Sequence, residues 1–242
     1  MMNIPTLRPA VNATPMAPPL PIPSEEGSFS QQLRETSALL VRRTFTLMEL
    51  FSLNARNEYE ILNTGGRIIG RAAENKGGLL GFLARTLLGP WRTFEIQVRD
   101  SKQRLVAVGK NRFRFVLNRF EILDAQGNYL GAMEQRWSLF YKAFDITDSR
   151  GRYILRMTSP HWKPWTFPLT RGSHELARVT KKWSGVFAEL LTDKEQFAVE
   201  FHSSKLSSSE RILLVFCAIF VDVMYFEGQG TSSLRDYVGL WS

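Results

Sequence analysis

RILLVFCAIFVDVMYFE, residues 211 to 227, is the stretch on which the fold turns. It contains the longest apolar run of the chain, ten residues from Ile212 to Val221. Asp222 interrupts the run, Val223 to Phe226 extends it, and Glu227 closes it. As a helix, Ile212–Phe226 is about 22 Å long at 1.5 Å per residue. A bilayer core of about 30 Å asks for roughly 20 apolar residues. Asp222 would also lie deep inside any span, where a carboxylate is costly. The run is apolar on every side, as in a helix enclosed by protein. A closed antiparallel barrel around a central helix gives that enclosure. Asp222 then needs a buried partner, because an unpaired buried carboxylate is expensive. The preceding SSSER sets the start of the helix, with Ser207 or Ser208 as cap and Glu210 near the positive end. A single C-terminal span is the alternative.

Working outward, the chain has 242 residues, 44% of them hydrophobic, which is ample for one large or two small cores. Lys and Arg number 31 against 23 Asp and Glu, a net charge of +8. That balance suits an anionic partner, either nucleic acid or an acidic membrane surface. Cys217 is the only cysteine, so neither an intrachain disulfide nor a cysteine-built metal site can form. Its place in the apolar run makes it a small hydrophobe. No basic start followed by an apolar stretch opens the sequence, so an intracellular protein is expected. Residues 1 to 23 hold seven of the eleven prolines. Residues 1–28 therefore read as a disordered proline-rich tail. Its P-x-x-P spacings, Pro15 to Pro18 and Pro18 to Pro21, would suit an SH3-type partner; a plain solubilising tail is the alternative.

From Asn57 onward one pattern recurs. ILDAQGNYLGAM (122–133) and ITDSRGRYILRM (146–157) share an Ile two residues before an Asp, a Gly three later, and apolar alternation. VRDSKQRLVAV (98–108) repeats it without the Gly, and ILNTGGRIIGRA (61–72) opens the series. Asp100, Asp124 and Asp148 stand 24 residues apart. Asp starts a type I turn and Gly takes the left-handed position, which is hairpin chemistry. Two strands and two turns fit that period, so the core reads as an antiparallel meander. Between Asn63 and Asp100 an insertion, KGGLLGFLARTLLGP (76–90), breaks the period. Further strands are expected at 174–182, 186–191 and 196–201. A short helix is expected near 30–36, with strands after it.

Three blocks resemble the phospholipid scramblase family: NEYEILNTGGRIIGRAAEN (57–75), GPWRTFEIQVRD (89–100) and VTKKWSGVFAELLTDKEQFAVEF (179–201), the last followed by the apolar helix. The likeness covers roughly 55–228. It implies a mainly β, Tubby-like fold: a closed antiparallel twelve-stranded barrel around a central hydrophobic C-terminal helix. On that basis residues 29–228 form the barrel domain, 208–227 its core helix and 229–242 a C-terminal tail with no functional reading. The resemblance also implies membrane-associated phospholipid binding and calcium-stimulated movement of phospholipids between leaflets. The family's calcium motif corresponds to DKEQFAVEFHSS (193–204). Asp193 matches it, Glu195 stands for an aspartate, and Ser204 stands where the family has another. Calcium wants six to eight oxygens, many from carboxylates, so this motif, with Asp193 and Glu195 as its metal residues, is weakened. The alternative is a strand with solvated charges, since Phe197, Val199 and Phe201 alternate. No cofactor is required by this reading.

The family's cysteine clusters, read as lipidation sites, have no counterpart here. Apolar loops can replace acyl chains as the membrane grip. One is LLGFLARTLL (79–88), with Leu80 and Phe82, which could equally plug one end of the barrel. The other is HWKPW, with Trp162 and Trp165. In KNRFRFVLNRF (110–120) a strand would point Arg112 and Arg114 one way. These arginines, with Lys181 and Lys182, would meet lipid phosphates or simply face water. Nucleic acid would use the same charges, but zinc-finger spacing, a basic recognition helix and an RNA-binding aromatic signature are all missing. No nucleophile motif, phosphate loop or histidine metal spacing points to an enzyme. The expected protein is a peripheral one at the cytoplasmic face of a membrane, with an anionic phospholipid membrane as partner. A non-scrambling lipid- or protein-binding adaptor is the rival, and a nucleic-acid binder the third reading.

Overall fold

The computed structural model describes residues 28–44, 57–75, 93–112, 117–160, 162–163, 165–181 and 196–226. Of the expected tails at 1–28 and 229–242, all but Ser28, which caps the first helix, lie outside these residues, as do the insertion at 76–90 and the strand at 186–191. A short helix, α1 (Phe29–Glu35), precedes twelve strands. They are β1 (Ala38–Thr44), β2 (Glu58–Leu62), β3 (Ile68–Asn75), β4 (Phe94–Asp100), β5 (Leu105–Asn111) and β6 (Arg119–Asp124). Then follow β7 (Tyr129–Arg136), β8 (Tyr141–Asp148), β9 (Tyr153–Pro160), β10 (Thr166–Arg171), β11 (His174–Thr180) and β12 (Gln196–Phe201). The helix α2 (Ser208–Tyr225) comes last.

Every strand pairs antiparallel with its sequence neighbours. Pairing of β1 with β12, from Ala38 opposite Glu200 to Arg42 opposite Gln196, closes the barrel. Closure leaves no exposed sheet edge. Alternation along each strand sends one set of side chains inward, as with Phe94, Ile96 and Val98 of β4. Gly109 on β5 is there for room: a Cβ would lie 2.3 Å from Phe120 and 2.8 Å from Phe216 of α2.

The two rims of the barrel differ. One carries the repeated hairpin turns, and the side-chain oxygens of Asn63, Asp100, Asp124 and Asp148 each accept two backbone N–H groups at 2.8–3.0 Å. The fourth residue of each turn is left-handed: Gly66, Gln103, Gly127 and Gly151, with φ of 75°, 62°, 86° and 73°. The copy without glycine thus folds identically and bears the strain in Gln103. Gln103→Gly is expected to stabilise the protein by about 0.5–1 kcal/mol, read as a higher urea midpoint at unchanged slope. An unchanged midpoint would show that this turn carries no strain.

Helix α2 enters at this turn rim and runs up the barrel axis. Its start is a capping box: Ser207 Oγ accepts from Glu210 N at 3.2 Å, and Glu210 Oε2 accepts from Ser207 N at 2.8 Å. Arg211 Nη1 donates to the carbonyls of Leu33 and Thr36, at 2.5 and 2.6 Å, tying α1 to α2. Every residue from Arg211 to Met224 is buried, as the all-round apolar pattern requires. No helix among the described residues is long and apolar enough to cross a membrane. Burial pushes the Cys217 thiol up to about 12, in keeping with a purely packing role.

Asp222, 1% exposed, has the partners its position demands. Tyr59 on β2 donates to Asp222 Oδ2 at 2.9 Å, and Arg43 Nη1 lies 3.8 Å from the same oxygen. Arg43 also donates to Asn57, which donates to Glu74, so the charge is held in a buried chain of polar groups.

Candidate membrane interface

At the second rim the strand ends follow one another around the barrel through their register: Asn75 opposite Glu95, Phe94 opposite Asn111, Arg119 opposite Glu134, Tyr141 opposite Pro160, and Thr166 opposite Thr180. Antiparallel order puts the C-terminal ends of β1, β3, β5, β7, β9 and β11 at this rim. None of the Asn/Asp turns is found here.

Exposed large apolar side chains among the described residues gather at this rim. Trp137, Leu139 and Phe140, between β7 and β8, are 74%, 66% and 70% exposed, and Tyr141 continues the group. Trp162, 75% exposed, and Trp165 lie between β9 and β10. Tyr153, beside the Asp148 turn, is the exception. Aromatic rings with a polar edge favour the water–lipid boundary, and holding six large apolar groups in water is unfavourable.

Cations accompany them. Arg112 is exposed just beyond β5, 3.7 Å from Glu121, and Lys163 is exposed between the two tryptophans. Lys142 Nζ sits 3.6 Å from the centre of the Tyr225 ring at the end of α2, and Lys181 Nζ sits 4.0 Å from that of Phe226. The Lys181 amide donates to the Trp165 carbonyl at 2.9 Å, joining two of the connections.

The structure therefore brings four residues singled out in the sequence, Arg112, Trp162, Trp165 and Lys181, to one rim. Leu80, Phe82, Arg114, Lys182, Asp193 and Glu195 lie outside the described residues. The strand expected through Arg112 is corrected: β5 ends at Asn111, where its pairing with Phe94 and Phe120 stops. Sequence reasoning passed over RWSLFYK (136–142), although it falls midway between Asp124 and Asp148. The 24-residue period puts it opposite the turns.

Residues 196–204 of the calcium motif are described. From Gln196 to Phe201 it is β12, with Phe197, Val199 and Phe201 in the core. Glu200 instead lies 3.9 Å from His202. At about 3.3 Å per residue, the strand separates its two ends by about 17 Å. Calcium holds its oxygens at about 2.3–2.6 Å, so one ion cannot be ligated from both ends of such a segment. No group of three His, Cys, Asp or Glu among the described residues could hold a metal. The carboxylates that the motif assigns to the metal, Asp193 and Glu195, lie outside the described residues.

A closed antiparallel barrel of twelve strands filled by its own C-terminal helix defines the class of protein by its fold. The Scramblase family model matches residues 16–228, and the chain belongs to that family. Phospholipid scramblase 2 from Homo sapiens is 26% identical over 226 residues, 87% of this chain and 74% of the relative. Phospholipid scramblase 1 from Mus musculus is 25% identical over 240 residues, 93% of this chain and 70% of the relative. No solved structure matches.

Proposed function

We propose that this protein docks its apolar rim on an anionic membrane surface, binds phospholipids there, and promotes their movement between leaflets without calcium. The observation that carries this reading is the gathering of Trp137, Leu139, Phe140, Tyr141, Trp162 and Trp165 at one end of the barrel, with Arg112 and Lys163 among them. Exposed aromatics supply partition into the interface, and the cations select acidic lipid. A net charge of +8 suits the acidic cytoplasmic face of a membrane. Because α2 fills the barrel, lipid does not pass through it; movement would come from disturbance of the bilayer at the rim. The same filled interior favours a second reading, a lipid-binding adaptor that does not scramble.

Co-sedimentation of detergent-free protein with phosphatidylserine-containing vesicles tests the first step. Binding is expected with acidic vesicles, equally in calcium and in chelator, and not with pure phosphatidylcholine. Phe140→Ser should weaken it about tenfold, the loss of one buried aromatic group. Binding that ignores Phe140, or that requires calcium, would overturn the reading. Leaflet exchange in vesicles carrying the bound protein then separates scrambling from the adaptor role.

A further inference from the structure

The connection between β7 and β8 borders a cleft of about 310 Å3, lined by Arg136, Trp137, Ser138, Tyr141, Lys142 and Tyr225. Lys142 is the unexpected member. Phe144 and Ile146, two and four residues further along β8, are fully buried in the core, so Lys142 is the last inward-facing position of that strand. A cation thus stands where the pattern calls for a hydrophobe, half-buried above the Tyr225 ring. Neighbouring charges do not answer it. Arg136 pairs with Asp145 at 2.7 Å and Glu134 at 3.4 Å, and Arg156 shares Asp145 at 2.7 Å. Among the described residues no carboxylate pairs with Lys142. Burial alone pulls its ammonium below the ordinary lysine value. The ring and the negative end of α2 offset part of that cost. They leave a cleft that presents a cation, a hydroxyl and aromatic walls to whatever lies on the rim.

We infer that Lys142 binds the phosphate of an anionic phospholipid headgroup seated in this cleft, while Trp137, Leu139 and Phe140 enter the surrounding lipid boundary. The inference rests on the membrane reading above and gives it a site. It differs from a general basic attraction, because one inward-facing cation carries it.

The test compares full-length wild type, Lys142→Met, Lys142→Arg and Lys102→Met on phosphatidylserine–phosphatidylcholine vesicles. Methionine keeps an apolar stem over Tyr225 and removes the charge. Lys102, exposed at the Asp100 turn of the opposite rim, loses the same charge and serves as control. Lys142→Met is expected to weaken vesicle binding about tenfold, as for a lost charged hydrogen bond, with Lys142→Arg recovering most of it. Lys102→Met should change little. Equal losses at both lysines would mean diffuse electrostatics and overturn the site. So would a Lys142→Met protein that melts earlier yet binds vesicles normally, since Lys142 would then only cap α2. Glycerophosphoserine, the headgroup without acyl chains, separates the sources of phosphate. If it competes only weakly, the ligand is the lipid; if it binds as tightly as vesicles, a soluble phosphate ester is the ligand and the bilayer assignment falls. Wild type that ignores acidic vesicles would overturn the membrane reading itself, whereas normal binding by Lys142→Met overturns this site alone.

Discussion

Asp222→Ala is expected to cost about 3–5 kcal/mol of folding stability, measured by urea unfolding of the detergent-free protein. The substitution removes the acceptor for Tyr59 and leaves Arg43 buried without the carboxylate at 3.8 Å. What is lost is chiefly the compensation for a desolvated guanidinium and phenol, so the effect exceeds the worth of a surface ion pair. Asp222→Asn, which keeps an oxygen beside Tyr59, should lose less than the alanine. A loss under about 1 kcal/mol for Asp222→Ala, the range of an exposed pair, would show that the carboxylate is not enclosed.

Phe220→Ala should be as damaging, at about 3–5 kcal/mol. Its ring is fully buried and lies 4.9 Å from that of Phe120, 6.0 Å from Phe144 and 6.2 Å from Phe94, so three strands lose contacts to a single truncation. Phe220→Leu should recover part of the loss by refilling the space. The measurement also bears on where the helix resides. If α2 left the barrel for a bilayer, its truncation would leave the unfolding of the soluble barrel unchanged.

Much of this architecture was legible in the sequence because its signals are local. The Asp100, Asp124 and Asp148 period reports hairpins directly, since each side chain binds amides two and four residues on. Even the missing glycine at Gln103 did not hide the third copy. The all-round apolar run from Ile212 pointed to an enclosed helix, and Asp222 inside it called for a partner. The identity of that partner was not legible. Tyr59 and Arg43 reach Asp222 only after β1 and β2 close against α2, and nothing local links positions 43, 59 and 222. The apolar rim was half visible. HWKPW stands out by composition, whereas WSLFY looks like ordinary strand until the turn period assigns it to a connection. Lys142 was invisible for another reason: its inward direction depends on the register of β8 with β9, where Lys142 lies opposite Ser159 and Phe144 opposite Met157.

The order of elements along the chain bears on how the molecule is made. The segment that fills the barrel, α2, follows all twelve strands, and the first strand waits for the last to close the ring. During synthesis the wall is therefore completed before its contents exist, and the inward faces of β1 to β12 have no core to pack on. Contacts of such long sequence separation slow folding and leave apolar surface open to aggregation. The hairpins closed by Asn63, Asp100, Asp124 and Asp148 need nothing downstream, so they can form early and hold the register of the nascent wall. Arrival of α2 supplies the side chains on which the inward faces of the strands pack as one core.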